Sequence, residues 1–524
     1  MMKQKLLYCL SLIGLFIALS SCAQTRKSTS KMAAAYVETQ AEVYPLLKGW
    51  EQNPFMRLDI YVPEGGSLSV SKLQFSLNAE ALSDIEGIKI FNTGKEPAFS
   101  DKNLLVTANP ALKMEVPLTV SLSPGWNYCW VSVQLNGEAN MDHLAEMHLR
   151  SLVDAGGKSY PIHENGKGYS RRIGIALRKK GEDGVNTYRI PGICATDKST
   201  LIAVYDVRYD NSRDLPANID VGMSRSTDGG KTWEPMKIIM DMGAPADNSG
   251  IGDPAVLFDP VSKKIWVAAL WSKGNRSIAG SGPGLSPDET GQFVLVSSAD
   301  DGQSWSAPQN ITAEVKDPKW HLFFQGPGNG IAMQNGTLVF PAQYWDEKGM
   351  PYSTLIFSTD HGMSWQGKRE GPKSNTTESQ LVETRAGTIM LNMRDNRGHF
   401  RSVATTDDLG KTWTEHISSY HSLPDPVCMA SLIKAPVQSA TGTADYLFFS
   451  NCNNQLARKD MTIKASADAG ESWPAKWQLL IDERGSFGYS AQTGIDNHTI
   501  GLLYEGIREL YFVRIPIKDI LKER

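Results

Sequence analysis

The chain has 524 residues, 41% hydrophobic and 21% charged, enough to bury a large core and too long for one small domain. Its 53 Lys and Arg against 57 Asp and Glu leave a net charge of -4, which excludes the basic surface of a nucleic-acid-binding protein, so any anionic ligand must be held by local arginines. The 46 Gly, 27 Pro and 13 Trp favour turn-rich β structure over helical bundles.

The N-terminus reads as an export signal over residues 1–22. Lys3 and Lys5 precede an apolar run from Leu6 to Leu19, too short to span a bilayer but long enough for a signal-peptide core. Leu19-Ser20-Ser21-Cys22 resembles a bacterial lipobox, with Cys22 as the acylated residue; ordinary cleavage after Ala23 is the alternative. The expectation is an exported protein, periplasmic or on the outer membrane or cell surface, anchored by lipid without spanning the membrane, or else secreted.

After a polar linker over 23–35, residues 36–165 carry strands. Met56, Leu58, Ile60 and Val62 alternate with Arg57, Asp59 and Tyr61, and Met114, Val116, Leu118, Val120 and Leu122 repeat the period of two. With turns at Pro63-Glu-Gly-Gly and Ser123-Pro-Gly, this predicts a β-sandwich, with carbohydrate binding a candidate role. Trp126, Tyr128 and Trp130 share one face of a further strand and are read as core ahead of a sugar platform. A linker to the next domain is expected near Gly156-Gly-Lys or His163-Glu-Asn-Gly-Lys-Gly.

From 166 to 524 one pattern recurs five times. Ser226-Thr-Asp228-Gly-Gly230-Lys-Thr232-Trp233 is followed by boxes centred on Asp300, Asp360, Asp408 and Asp468, all of the form S/T-x-D-x-G-x-S/T-W. Asp can bond backbone N–H groups within a turn, Gly accepts positive φ, and Trp can wedge between sheets, so each box predicts a hairpin turn. The spacings of 72, 60, 48 and 60 residues suit four-stranded propeller blades, and the segment has room for six. The fold predicted is all-β, a six-bladed β-propeller behind a β-sandwich. Cys129, Cys194, Cys428 and Cys452 form no C-x-x-C or Cys/His pattern and read as small buried hydrophobes; disulfides are allowed but not indicated.

Tyr188-Arg189-Ile190-Pro191 stands about 40 residues before the first box. Arg-Ile-Pro followed by five Asp boxes resembles the sialidase (neuraminidase) family, specifically bacterial exo-sialidases, from about Ile173 to Ile515. That resemblance implies sialylated glycans as partners, no cofactor and no metal, and the boxes lack the dense oxygen ligands of a Ca²⁺ loop. A sialoside carries a carboxylate on its anomeric carbon, for which guanidinium groups are the natural bidentate clamp. The matching positions are Arg189, Arg394 and Arg458, with Lys459 a neighbour to be distinguished from the last.

The leaving oxygen needs a carboxylic acid with a raised pKa. Asp214 matches the family's acid/base, with Asp206 and Asp210 as alternatives. A carboxylate nucleophile would be repelled by the substrate's own carboxylate, so a neutral Tyr with a base is preferable. Gly488-Tyr489-Ser490 resembles the nucleophile segment and Asn375-Thr-Thr-Glu378 the segment of its base, with Tyr504 competing for the first role. Glu505 resembles the residue that orients the first arginine; Arg208 and Asp253 resemble contacts to the sugar's 4-hydroxyl and amide side. Trp271 is a candidate wall of the acetamido pocket, with propeller core the competing reading. The activity expected is retaining exo-sialidase; the rivals are a trans-sialidase, an intramolecular trans-sialidase, or a non-catalytic sialoglycan-binding propeller.

Overall fold

A computed structural model describes residues 34–243, 248–439 and 442–522. The expected signal peptide, with Cys22, and nearly all of segment 23–35 lie outside the described residues. Among the described residues, α-helix is confined to Thr312–Val315 and Ile517–Leu521, and no helix is long and apolar enough to cross a membrane.

The N-terminal unit is a β-sandwich. One sheet runs in the order Ile162–Gly166, Tyr36–Ala41, Asn53–Val62, Gly125–Leu135, Ile85–Gly94, Leu104–Ala108; the other contains Leu144–Asp154, Leu68–Leu77 and Lys113–Leu122. Strict alternation in Lys113–Leu122 turns Met114, Val116, Leu118, Val120 and Leu122 inward, against Leu58 and Ile60 of the opposite sheet. The aromatic row departs from expectation. Cys129, Val131 and Val133 take the inward positions of their strand, so Trp126, Tyr128 and Trp130 lie on the opposite face, where Tyr128 is nonetheless buried, Arg57 spans the Tyr128 and Trp130 rings and Trp130 Nε1 donates to Pro97 O. The period of two was legible, but which half faces inward depends on the neighbouring strands. Nor is the segment 156–166 a free linker: Gly157 sits in the turn after Asp154, and Ile162–Gly166 pairs with Tyr36–Ala41.

The propeller has six blades. Their inner strands are Thr187–Ala195, Gly250–Phe258, an interrupted strand at Leu322–Gln325 and Ile331–Ala332, Thr376–Arg385, Ser431–Ser439 and Ser490–Asp496. The last blade is completed from the other end of the chain. Leu510–Pro516 pairs antiparallel with Ser170–Arg178, whose first residues also pair with Leu144–Asp154 of the sandwich, while Leu46–Lys48 lies along its outer side. One sheet therefore crosses both units, and one apolar core contains Ile173, Leu503 and Phe512 together with the sandwich residues.

That closure explains why six blades carry five boxes. Each box follows the third strand of its blade; in the sixth, the outer strand comes from residues 170–178, so no turn joins it to Leu510–Pro516. All five boxes share one bonding pattern. In the second, Ser298 Oγ donates to Asp300 Oδ1 (2.8 Å), which accepts from Ser304 N (2.8 Å), while Ser304 Oγ donates to Oδ2 (2.5 Å). The Gly of each box has φ between +80° and +86°, and at Gly362 a side chain would collide with the Trp266 ring.

A second repeat, with little sequence signal, lies at the axis. Ile190 (φ +54°), Asp253 (+57°), Gly328 (+104°), Asn375 (+55°), Val427 (+58°) and Gly488 (+95°) mark the inner edge of the six blades in turn. At Ile190-Pro191 and Asp253-Pro254 the strand register slips, and Pro, having no N–H to lose, sits within the bulge. A β-branched residue at positive φ is strained and persists only where its surroundings enforce it.

The hydrogen bonds within the boxes push the carboxyls of Asp300, Asp360 and Asp408 down to about 2. A depressed carboxyl stabilises the fold above its unfolded pKa of about 3.9 and stops doing so as pH falls through the folded value. Stability is therefore expected to drop between about pH 4 and pH 2, and less steeply in an Asp300→Ala, Asp360→Ala double variant. At neutral pH each single substitution should lower the thermal midpoint by about 2–5 °C and leave kcat per folded molecule unchanged, as measured by calorimetry and assay.

Candidate active site

The inner-edge bulges aim their neighbouring side chains at the axis, where Glu505 organises them. This carboxylate is fully buried on the strand Thr499–Glu505. Its Oε1 accepts from Arg189 Nε (3.0 Å) and Ile190 N (2.9 Å), and Oε2 accepts from Tyr489 N (2.9 Å). Burial opposes the charge of Arg189, and Glu505, Tyr489 and Asp214 more than offset it, holding the guanidinium firmly protonated.

Tyr489 is the centre of the cluster and is 5% exposed. Its hydroxyl donates to Glu378 Oε1 and lies 3.1 Å from Arg394 Nη1, which also donates to Glu378 Oε2 at 2.5 Å. The Arg189 and Arg458 guanidiniums stand 5.3 and 5.8 Å from its ring centre. Burial and the Glu378 charge raise the Tyr489 pKa well above that of free tyrosine, with the three arginines pulling the other way. The phenol is therefore protonated and in hydrogen-bond contact with the Glu378 carboxyl. Arg458 is held by backbone carbonyls alone, donating to Phe487 O (3.0 Å) and Val427 O (3.1 Å). Lys459, in contrast, points to Asp460.

Asp214 lies across this cluster on the rim, its side chain 75% exposed. Its Oδ1 accepts from Arg208 Nη1 (2.7 Å) and meets Arg189 Nη1 at 3.4 Å. The expected raised pKa is not found. Burial pushes the carboxyl up, but Arg208 and Arg189 outweigh it and the net shift is downward; water screens so open a group, which keeps the effect modest. The alternatives fall away on position: Asp206 is buried beneath the site, bonded to Arg208 and to Asp253 N, and Asp210 makes no polar contact to the cluster. Arg208, 1% exposed, reaches the pocket only through Asp214 in this state. Asp253 lines the pocket, and burial beside Asp206 and Asp214 pushes its carboxyl well up.

The resulting cavity measures about 250 Å³ and is bounded by Asp214, Asp253, Glu378 and Tyr489 on its polar side. Its other wall is apolar, built by Leu215, Ile278, Ala279 and Trp345. Trp271 is not part of it; its Nε1 donates to Ser249 Oγ within the second blade. Tyr504 is likewise excluded, its hydroxyl spent on Asp482. The sequence reading missed Leu215, Ile278 and Trp345, which come from three separate segments and share no spacing or motif. A larger open hollow of about 340 Å³ at Lys180, Asn186, Tyr209 and Arg508 assembles no carboxylate and no acid/base pair.

Residues 200–502 match the family profile of a BNR repeat-like domain and residues 34–158 that of the N-terminal domain of BNR-repeat neuraminidase. A sialidase of Bacteroides fragilis is 44% identical over 81% of this chain and 79% of its own. The chain belongs to the BNR-repeat sialidase family. A sialidase of Micromonospora viridifaciens is 32% identical over 64% of this chain and 53% of its own length. The solved Hadza microbial sialidase Hz136 superposes with a TM-score of 0.86 at 39% identity, covering 92% of this chain and 99% of that one.

Glu505→Gln retains the shape of the carboxylate and removes its charge beneath Arg189. The expected result is a fall in kcat/KM of about 10- to 100-fold, the usual scale for a group that orients a binding residue. Steady-state kinetics at matched folded fraction check it.

Proposed function

We propose that this family member is a retaining exo-α-sialidase releasing terminal sialic acid from glycoproteins, glycolipids and oligosaccharides. The observation that carries the reading is the Tyr489 hydroxyl, bonded to Glu378 and surrounded by three arginines at the base of a pocket with a carboxylic acid on its rim.

Arg189, Arg394 and Arg458 clamp the substrate carboxylate. Arg208 and Asp253 face the 4-hydroxyl and amide side of the ring. Protonated Asp214 gives its proton to the glycosidic oxygen as that oxygen leaves the anomeric carbon. Tyr489 attacks the same carbon while its phenolic proton passes to Glu378, leaving a tyrosyl glycoside. In the second half, Asp214 takes a proton from water, the water oxygen bonds the anomeric carbon, and the tyrosine oxygen leaves and recovers its proton from Glu378. Two inversions give net retention. The lowered pKa of Asp214 fits this order, because a substrate carboxylate would engage Arg189 and weaken its hold on Asp214.

Hydrolysis of a fluorogenic sialoside tests the assignment: Tyr489→Phe and Asp214→Ala are each expected to lose at least ~100-fold in kcat/KM, and full activity in Tyr489→Phe would remove tyrosine from the mechanism. Free sialic acid should be the main product by chromatography; sialylated acceptor or anhydro-sugar would instead favour a transferase on the same fold, and an inactive wild type a binding propeller. We propose further that the protein is exported and acylated at Cys22. Metabolic labelling with a radioactive fatty acid should mark the wild type and not Cys22→Ser; equal labelling would refute acylation at Cys22, and no labelling of either would favour secretion.

A further inference from the structure

Two buried thiols that the mechanism does not use lie directly under the nucleophile. Cys428 and Cys452 are each fully buried, on two different segments of the fifth blade. Cys428 Sγ donates to Phe487 O (3.8 Å) and Cys452 Sγ to Gly488 O (3.6 Å), the carbonyls of the two residues before Tyr489. A β-carbon built on Gly488 would stand 2.8 Å from one sulfur and 3.1 Å from the other, so the thiols fill the space that the absent side chain leaves. Gly488 adopts φ +95°, a conformation that glycine alone takes without strain.

The backbone around Tyr489 has no slack on any other side. Glu505 Oε2 accepts its N–H, its carbonyl accepts from Glu505 N (2.9 Å), and Arg458 also donates to Phe487 O. The thiol platform is itself anchored from below. Cys428 N donates to Asp425 Oδ1 (2.9 Å) and Cys428 O accepts from Arg401 Nη1 (2.5 Å), with Arg401 wholly buried.

On the reading that Tyr489 is the nucleophile, we propose that Cys428 and Cys452 are positioning residues that set the height of its phenol oxygen beneath the anomeric carbon. Each S–H···O contact is weak, so the effect rests on the sulfurs' size and polarisability against the strand bend, which they support together with Arg458 Cβ, 3.2 Å from the same built β-carbon, and with Ile190 and Met429, packed in one cluster with Tyr489. An oxygen in place of either is smaller, and a methyl group leaves a void. Small displacements matter at this atom, since a misplacement of ~1 Å can cost about 100-fold in rate.

The test uses Cys428→Ala, Cys452→Ala and the corresponding Ser variants of the full chain, each assayed below its own thermal midpoint. The expected result is a kcat reduced about 10- to 100-fold in the Ala variants and less in the Ser variants. KM, and the inhibition constant of 2-deoxy-2,3-didehydro-N-acetylneuraminic acid, which needs the arginines but not the nucleophile, should move less than about threefold. Unchanged kcat in folded variants, or kcat and inhibitor binding weakening by the same factor, overturns the inference. Should the Ala variants not fold, the Ser pair decides: kcat lowered with inhibitor binding intact supports the role, and both intact refutes it. Tyr489→Phe assayed alongside separates the two readings: if it stays active the nucleophile assignment fails, and if it is dead while the cysteine variants are normal only the positioning role fails.

Discussion

A single buried carboxylate joins the two ends of the propeller and the two halves of its chemistry. Glu505 comes from the last blade, Arg189 and Ile190 from the first, and Tyr489 from the last again. A charge with no exposure is tolerable only with full compensation, and here a guanidinium and two backbone N–H groups supply it. The strained Ile190 and the bulge at Pro191 are held in place by the same bonds. Ring closure and site assembly are thus one event. The strand Ser170–Arg178, which completes the last blade while bonded to the sandwich, makes the N-terminal unit part of that closure rather than an appendage.

Electrostatics at the axis are arranged in the same economical way. Four guanidiniums, those of Arg189, Arg208, Arg394 and Arg458, stand around Tyr489 and Asp214, and each is paired with a carboxylate or a backbone carbonyl. Asp214 stands beside Arg208 and Arg189, whose charges hold its carboxyl below the usual carboxylate range.

Much of this was legible in the residues. The five boxes, with their spacing, set the blade count, and box chemistry is local: hydroxyl, carboxylate and glycine lie within eight residues and bond one another whatever the neighbouring blade contains. Site residues could be picked out where a segment has a distinctive composition, as in Arg189-Ile-Pro and Gly488-Tyr489-Ser490. Three features were not legible. Trp126, Tyr128 and Trp130 obey the period of two, but a period names two faces and the opposing sheet chooses between them. Asp214 has its charge state set by arginines at different sequence distances. Leu215, Ile278 and Trp345 meet only because three loops end at one wall.

The division follows from range. Interactions closed within about ten residues, such as turns, boxes and strand alternation, are written in local order, because the atoms that satisfy one another are neighbours in the chain. Positive φ at Ile190, Asp253, Asn375 and Val427 has no such signature; these are not glycines, and only the surrounding blades impose the conformation. The five Asp boxes therefore foretold a propeller and its number of blades. Convergence of Arg189 from the first blade, Glu378 and Arg394 from the fourth and Tyr489 and Glu505 from the last, with two thiols beneath, waited on the tertiary fold, because contacts such as Arg189 to Glu505, 316 residues apart, form only when the first blade meets the last.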